Sequence, residues 1–233
     1  MKTALGEQRP KSSKSLGASA YEQICKKIIT LQYAPGTLLE EKTIMMDLNI
    51  GRTPIREALL RLSGEGWVVI QTNRGAMVPP ITLQETRAMF ETLKILDLAI
   101  VPLLCSNSFT PELGPLYKAN RDVARCIEQN DLLGLVEANH LFHLAFTDSA
   151  RNHFLLRAVR DVRNQAKKLA YLSYSNDTAP LPSLSLQEHY KSVIHEHDLI
   201  IEAMKQRNEP MLESTLLKHI NTFQPRIIAY MSA

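Results

Sequence analysis

Apolar residues recur along most of this chain in steps of three and four. Tyr21, Ile24, Ile28 and Leu31 keep that spacing, which predicts a helix starting near Ser19, a residue suited to cap it. Pro35 and Gly36 make a turn, and a second helix fits Glu40 to Leu48 before a break at Asn49 to Gly51. A third helix is predicted with Thr53 as cap and Pro54 at its first position, where the missing N–H costs nothing. Its Ile55, Ala58, Leu59 and Leu62 form one stripe that must face a core. Gly64 and Gly66 stop that helix, and Trp67 to Gln71 reads as a strand. Thr72 to Gly75 turns the chain, and Ala76 to Val78 returns as the partner strand. A lone hairpin is unstable in water, so this one must lean on the helices.

Beyond Pro79 and Pro80, taken as a linker, the period is helical almost throughout. Helices fit Leu83 to Leu104, Pro111 to Gln129, Asp131 to Ser149, Phe154 to Tyr174, Leu186 to Gln206 and Pro210 to Tyr230. The polar run from Ser175 to Ser185 reads as an exposed loop. The expected fold class is mainly α: an N-terminal winged helix-turn-helix with a two-stranded β wing, then an all-α antiparallel helical bundle. The expected division is a mobile basic arm over 1–17, the winged unit over 18–80 and the bundle over 81–233, a reasonable partition of 233 residues.

Charge sharpens this picture. Residues 1–80 carry 11 Lys and Arg against 7 Asp and Glu, whereas the remainder carries 16 against 17. The positive excess therefore sits where a phosphate backbone would be met, although an excess of this size also suits a solvated surface. Cys25, Cys105 and Cys126 are odd in number and lack ligand or paired spacing, which favours a reducing compartment. The start from Met1 to Ser15 has no apolar segment of secretory type. Leu96 to Leu104, the longest apolar stretch, is interrupted by Asp97 and Pro102 and is about half the length needed to span a bilayer. A cytoplasmic protein is expected, with no membrane partner.

Arg52 and Arg56, four apart, project from the side of the third helix opposite its apolar stripe. Such a pair at the N-terminal end of a recognition helix can enter the major groove, where a guanidinium reaches guanine O6 and N7 together. Thr53 and Lys42 can add phosphate contacts, and Arg74 with Gly75 at the hairpin tip can reach the adjacent minor groove. Spacing alone equally allows a merely solvated face, with Glu57 paired to Arg61.

The stretch Tyr21 to Val78 resembles the DNA-binding domain of the GntR family of bacterial repressors. The resemblance is carried by Pro35 with Gly36, by the block GRTPIREALLRL from Gly51 to Leu62, and by RGAMV from Arg74 to Val78. It implies operator contact by Lys42, Arg52 and Arg56, and approach of Gly75 to the minor groove. Thr43 departs from the glutamate usual after the basic residue.

In the bundle, Leu132, Leu135, Val136, Asn139, Phe142, His143 and Phe146 share one stripe, so Asn139 and His143 point inward together. His197 is flanked by Ile194, Ile200 and Ile201, and His219 lies between Leu216 and Phe223. Three imidazoles and an amide in an apolar interior are unfavourable without partners, and a shared cation resolves this. Separate hydrogen bonding of each ring is the alternative. His140, His153, His189 and His195 fall in polar or loop contexts and are expected at the surface.

Residues 83–223 resemble the FadR C-terminal domain, the helical sensor of one GntR subgroup. ANHLFHLAF stands at its Asp-x-x-Phe-His motif, and IHEHDLIIEAM and LLKHI at the segments with the second and third His. The resemblance implies a divalent transition metal, zinc or nickel, held by Asn139, His143, His197 and His219, with Asn139 where a carboxylate is usual. It also implies a small organic or sugar acid effector, clamped by a base among Lys94, Arg163 and Lys167. A homodimer reading an inverted repeat follows from matching two-fold symmetry. A non-enzymatic repressor is expected. The rivals are a metal-dependent hydrolase, disfavoured because no inward Glu or Asp is evident beside the ligands, and a metal-free effector-binding repressor.

Overall fold

A computed structural model describes residues 15–72, 74–106, 110–175 and 185–232. Helix α1 (Leu16–Ile29) begins earlier than its spacing suggested. Ser15, not Ser19, is the cap, its side chain accepting from the Ala18 N–H at 3.2 Å. Residues 15–17 therefore belong to this helix, and the rest of the expected arm lies outside the described residues. Helix α2 (Glu41–Leu48) ends at Asn49, which takes the left-handed conformation. Helix α3 (Arg52–Gly64) starts one residue before the proposed Thr53 cap, with Gly51 as cap residue. Pro54 still falls in the first turn, where N–H groups have no intrahelical partner. Ile55, Ala58, Leu59 and Leu62 are buried as the stripe requires.

The wing is larger than the expected hairpin. Strands β2 (Val69–Gln71) and β3 (Gly75–Met77) pair antiparallel, and a further strand β1 (Leu38–Leu39) pairs with β3, so the sheet order is β1-β3-β2. Gly75 makes this possible: its φ is +105°, and a Cβ there would lie 2.3 Å from the Leu39 carbonyl oxygen. Trp67 and Val68, expected in the strand, instead sink into the core at 1% exposure each.

The remaining helices are α4 (Leu83–Cys105), α5 (Gly114–Glu128), α6 (Leu132–Asp148), α7 (His153–Ser175), α8 (Leu186–Gln206) and α9 (Glu209–Ser232). Side chains of Thr82, Asp131 and Ser185 cap α4, α6 and α8, Ser185 with Glu188 in a reciprocal capping box. Packing closes these helices into a ring in the order α4, α9, α8, α5, α6, α7 and back to α4. The ring surrounds an interior containing Phe142, Phe146, Ile200 and Leu216. Most of the expected loop, residues 176–184, lies outside the described residues. No helix among the described residues is long and apolar enough to cross a membrane.

The N-terminal helices and the bundle share one apolar cluster, in which Ile24, Ile28 and Trp67 join Val136, Ala170 and Tyr174. One polar contact reinforces it: Gln165 Nε2 on α7 donates to the Gly66 carbonyl just beyond α3 at 2.8 Å.

Candidate functional site

Two groups of residues concern function, one on α3 and the wing, the other inside the bundle. On the first, Arg52 and Arg56 are exposed, with 62% and 59% of their side-chain surface open. They are not unpartnered. Glu41, at the start of α2, takes Arg56 Nε at 2.7 Å and lies 3.6 Å from Arg52 Nε. That carboxylate bonds the Arg56 stem and attracts the Arg52 stem, while both side chains stay more than half open to solvent. Sequence reasoning passed over Glu41, because the contact joins two helices. Lys42, Thr53 and Arg74 are also exposed. Arg56, Arg74 and Gly75 line one groove between α3 and the wing, of about 860 Å³. Gly75 has a structural requirement of its own, since its missing Cβ makes room for β1.

Inside the bundle, His143 on α6, His197 on α8 and His219 on α9 converge. One nitrogen from each lies within 4.8 Å of the others. Nε2 of His143 and Nε2 of His219 are 3.2 Å apart. The outer nitrogens of two of the rings are fixed from behind. His219 Nδ1–H donates to Glu196 Oε2 at 2.9 Å, and His197 Nδ1–H donates to Asn120 Oδ1 at 3.0 Å. Asn120 is oriented in turn, its amide donating to Asp198 Oδ1 at 2.7 Å and to the Ile194 carbonyl at 3.3 Å. These bonds leave the Nε2 lone pairs of His197 and His219 facing inward, the tautomer a metal ligand needs. Phe142 stacks on the His197 ring, centroids 3.6 Å apart and planes 8° from parallel, which fixes its tilt.

Burial holds His143 and His197 well below the ordinary imidazole pKa, so both rings are neutral, and positive neighbours including Arg163 act the same way. Burial by itself would raise the Glu196 carboxyl. Hydrogen bonds from His219, Ser192 and Thr222 reverse this and hold it below the usual range. Two facing lone pairs at 3.2 Å repel unless a proton or a cation lies between them. For metal–nitrogen bonds of about 2.1 Å, adjacent ligand nitrogens lie roughly 3.0–3.4 Å apart, so the spacing fits a shared ion. His197 Nε2 and Asn139 Oδ1 are buried and have no hydrogen-bond partner, as unused ligand atoms would be.

The expectation that no inward carboxylate accompanies these ligands is corrected: Glu196 is fully buried behind His219, and Asp97 on α4 is 1% exposed. Both are engaged, Glu196 as described and Asp97 by Arg163, whose Nη2 lies 2.5 Å from Asp97 Oδ2. Two further histidines are also misplaced by sequence reasoning. His140 and His189 are 8% and 1% exposed, and burial lowers their pKa values to about 3 and about 4. His153 and His195 are exposed as expected.

A cavity of about 60 Å³ adjoins the cluster, lined by His143, His219, Asn139, His140, Arg163 and Lys167 among apolar residues of five helices. Of the three bases proposed as clamps, Arg163 and Lys167 reach it. Lys94 does not: it lies on the exposed side of α4, and its neighbour Leu93 lines the cavity instead. Lys167 is held by both oxygens of Glu137 at 2.9 Å.

Residues 16–78 match the model of the bacterial regulatory proteins of the gntR family, and residues 88–222 match that of the FCD domain. The chain belongs to the GntR family and carries an FCD domain. This regulator is 22% identical over 200 residues to the HTH-type transcriptional repressor RspR of Escherichia coli, covering 86% of its own length and 83% of the relative's. It is 20% identical over 219 residues to the gluconate operon transcriptional repressor of Bacillus subtilis, covering 93% and 86%. Among solved structures its fold is similar to E. coli McbR/YncC, with TM-score 0.73, 21% identity and coverage of 94% and 99%. It is likewise similar to a GntR regulator of Rhodococcus sp. RHA1, with TM-score 0.70, 20% identity and coverage of 92% and 98%. These families and relatives are transcription regulators, not hydrolases, and the GntR helix-turn-helix implies that this regulator binds operator DNA.

Proposed function

We propose that this regulator is a cytoplasmic repressor that leaves its operator when a small carboxylate-bearing metabolite binds at a divalent metal inside the helical bundle. Residues 18–80 form the DNA head and 81–233 the sensor, and a homodimer presents two heads to an inverted repeat. Arg52 and Arg56 read bases, Lys42 and Thr53 meet phosphate, and Arg74 with Gly75 enters the minor groove. The sensing part is carried by one observation: the inward Nε2 atoms of His143, His197 and His219, two of them fixed by Glu196 and Asn120. With Asn139 they make a ligand set of neutral donors suited to zinc or nickel. A metal bound there supplies a Lewis-acid anchor for a carboxylate oxygen, and Arg163 or Lys167 supplies the opposing positive charge. A relative that represses a gluconate operon fits a sugar acid as the effector class. An effector acts only through different affinities for the DNA-bound and free states, typically worth about 1–3 kcal/mol.

The test uses protein purified without a metal-affinity tag. Metal analysis finds about one divalent ion per chain, lost in His143→Ala and His219→Ala. Gel shifts on the gene's own upstream region then weaken when the effector acid is added. A protein that carries no metal and takes up neither Zn²⁺ nor Ni²⁺ leaves only the metal-free reading, with histidines bonding the effector directly. A metal-loaded complex indifferent to every acid the protein binds removes the release mechanism.

A further inference from the structure

The base best placed to receive an acid is already occupied. Arg163 on α7 lines the cavity and is buried, and its Nη2 meets Asp97 Oδ2, whereas Asp97 itself does not line the cavity. The pair makes a single contact and is poorly satisfied. Asp97 Oδ1 and Arg163 Nε are both buried without a hydrogen-bond partner. A buried ion pair is favourable only when its remaining donors and acceptors are met, so this one leaves a deficit on each side. The alternative bases differ: Lys167 is bound by both oxygens of Glu137, a half-exposed carboxylate, and Lys94 faces solvent. At about 60 Å³ the cavity has room for roughly two waters, enough for an anionic head group and little more.

Building on the effector reading above, we propose that Asp97 is an internal stand-in for the effector's carboxylate, holding Arg163 until an incoming acid takes that guanidinium over. The site therefore selects a planar carboxylate, because the group it exchanges is itself one. A carboxylate entering from the cavity can engage Nε and an Nη together, a fork the present pair leaves half used. Asp97 is not left as a bare anion by the exchange: burial pushes its carboxyl up, and it takes a proton once the guanidinium leaves. Two residues along α7, Gln165 holds the Gly66 carbonyl just beyond the end of α3. The exchange at Arg163 thus pulls on the helix bonded to the segment that follows α3, which gives acid binding a route to the DNA head.

The test is calorimetric titration of the full-length, metal-loaded protein with acetate, succinate and gluconate, with glucose as an uncharged control. Asp97→Asn, which removes the internal anion and keeps an oxygen acceptor, is expected to tighten acid binding roughly tenfold. Arg163→Gln is expected to lose it in either background, and glucose to show no difference. Acid binding by the wild type that is unchanged or weaker in Asp97→Asn overturns the proposal and leaves the effector reading intact. Absence of acid binding in both proteins overturns the two together. Should Asp97→Asn fail to fold, the wild type decides by NMR. The Arg163 Nε–H resonance, assigned by its loss in Arg163→Gln, must shift under saturating acid, and a resonance that stays in place refutes the exchange.

Discussion

Arg56 Nε lies 2.7 Å from Glu41 Oε1, so the guanidinium expected to read DNA is held by a neighbouring helix while no DNA is bound. The bond occupies the stem nitrogen and leaves the two terminal nitrogens for guanine O6 and N7. Arg56→Ala should lower operator affinity roughly ten- to a hundredfold and leave the thermal midpoint unchanged, because the side chain is exposed. Gel shifts and a melting curve check both halves. Equal loss on operator and random duplex would assign Arg56 to the phosphates instead.

Glu196 is expected to set metal affinity through His219. Replacing it with Gln removes the buried charge behind the ligand and should weaken Zn²⁺ binding about 10–100-fold in competition titrations. The circular dichroism spectrum should be retained. Unaltered affinity would reduce Glu196 to a packing role.

Gly75→Ala should be costly. The new Cβ meets the Leu39 backbone oxygen at 2.3 Å, and φ of +105° is strained for any side chain. A loss of about 1–3 kcal/mol is expected, seen as a drop of several degrees in melting temperature. A melt matching the wild type would mean that β1 does not pair with β3 in solution.

Acid should destabilise the metal-free protein before its carboxylates titrate. His140 and His189, with folded pKa values of about 3 and about 4, stay neutral in the core while the unfolded chain takes up their protons near pH 6.5. The sign follows: nothing is gained or lost above pH 6.5, and stability falls as pH drops below it, by up to about 1.4 kcal/mol per pH unit per ring. The fall from His189 stops near pH 4 and that from His140 near pH 3. Urea unfolding at pH 7.5, 6.0 and 5.0 measures the slope, and His140→Phe should make it shallower. A flat profile over that interval would place these rings in water.

The helices were legible because burying one face of a helix forces apolar residues into steps of three and four, a pattern written in the chain order. The same rule placed His143, His197 and His219 inward, and the family-like blocks pointed to Arg52 and Arg56. Adjacent positions on a helix differ by about 100°, so a one-residue uncertainty left Lys94 as a clamp when Leu93 is the residue that faces the cavity. β1 escaped notice because two residues carry no period. His140 and His189 look polar by sequence neighbourhood, yet α6 and α8 are covered on more than one side by the ring of helices.

Local sequence thus determined the helices and the three inward imidazoles, since these follow from short-range periodicity, while the expectation that α3 reads DNA came from the family-like blocks. Only the tertiary structure decided which charges are spoken for: Arg56 by Glu41, Arg163 by Asp97, Lys167 by Glu137 and His219 by Glu196. Each of those pairs joins residues far apart in the chain, and electrostatic partnership depends on distance in space, which chain order does not encode.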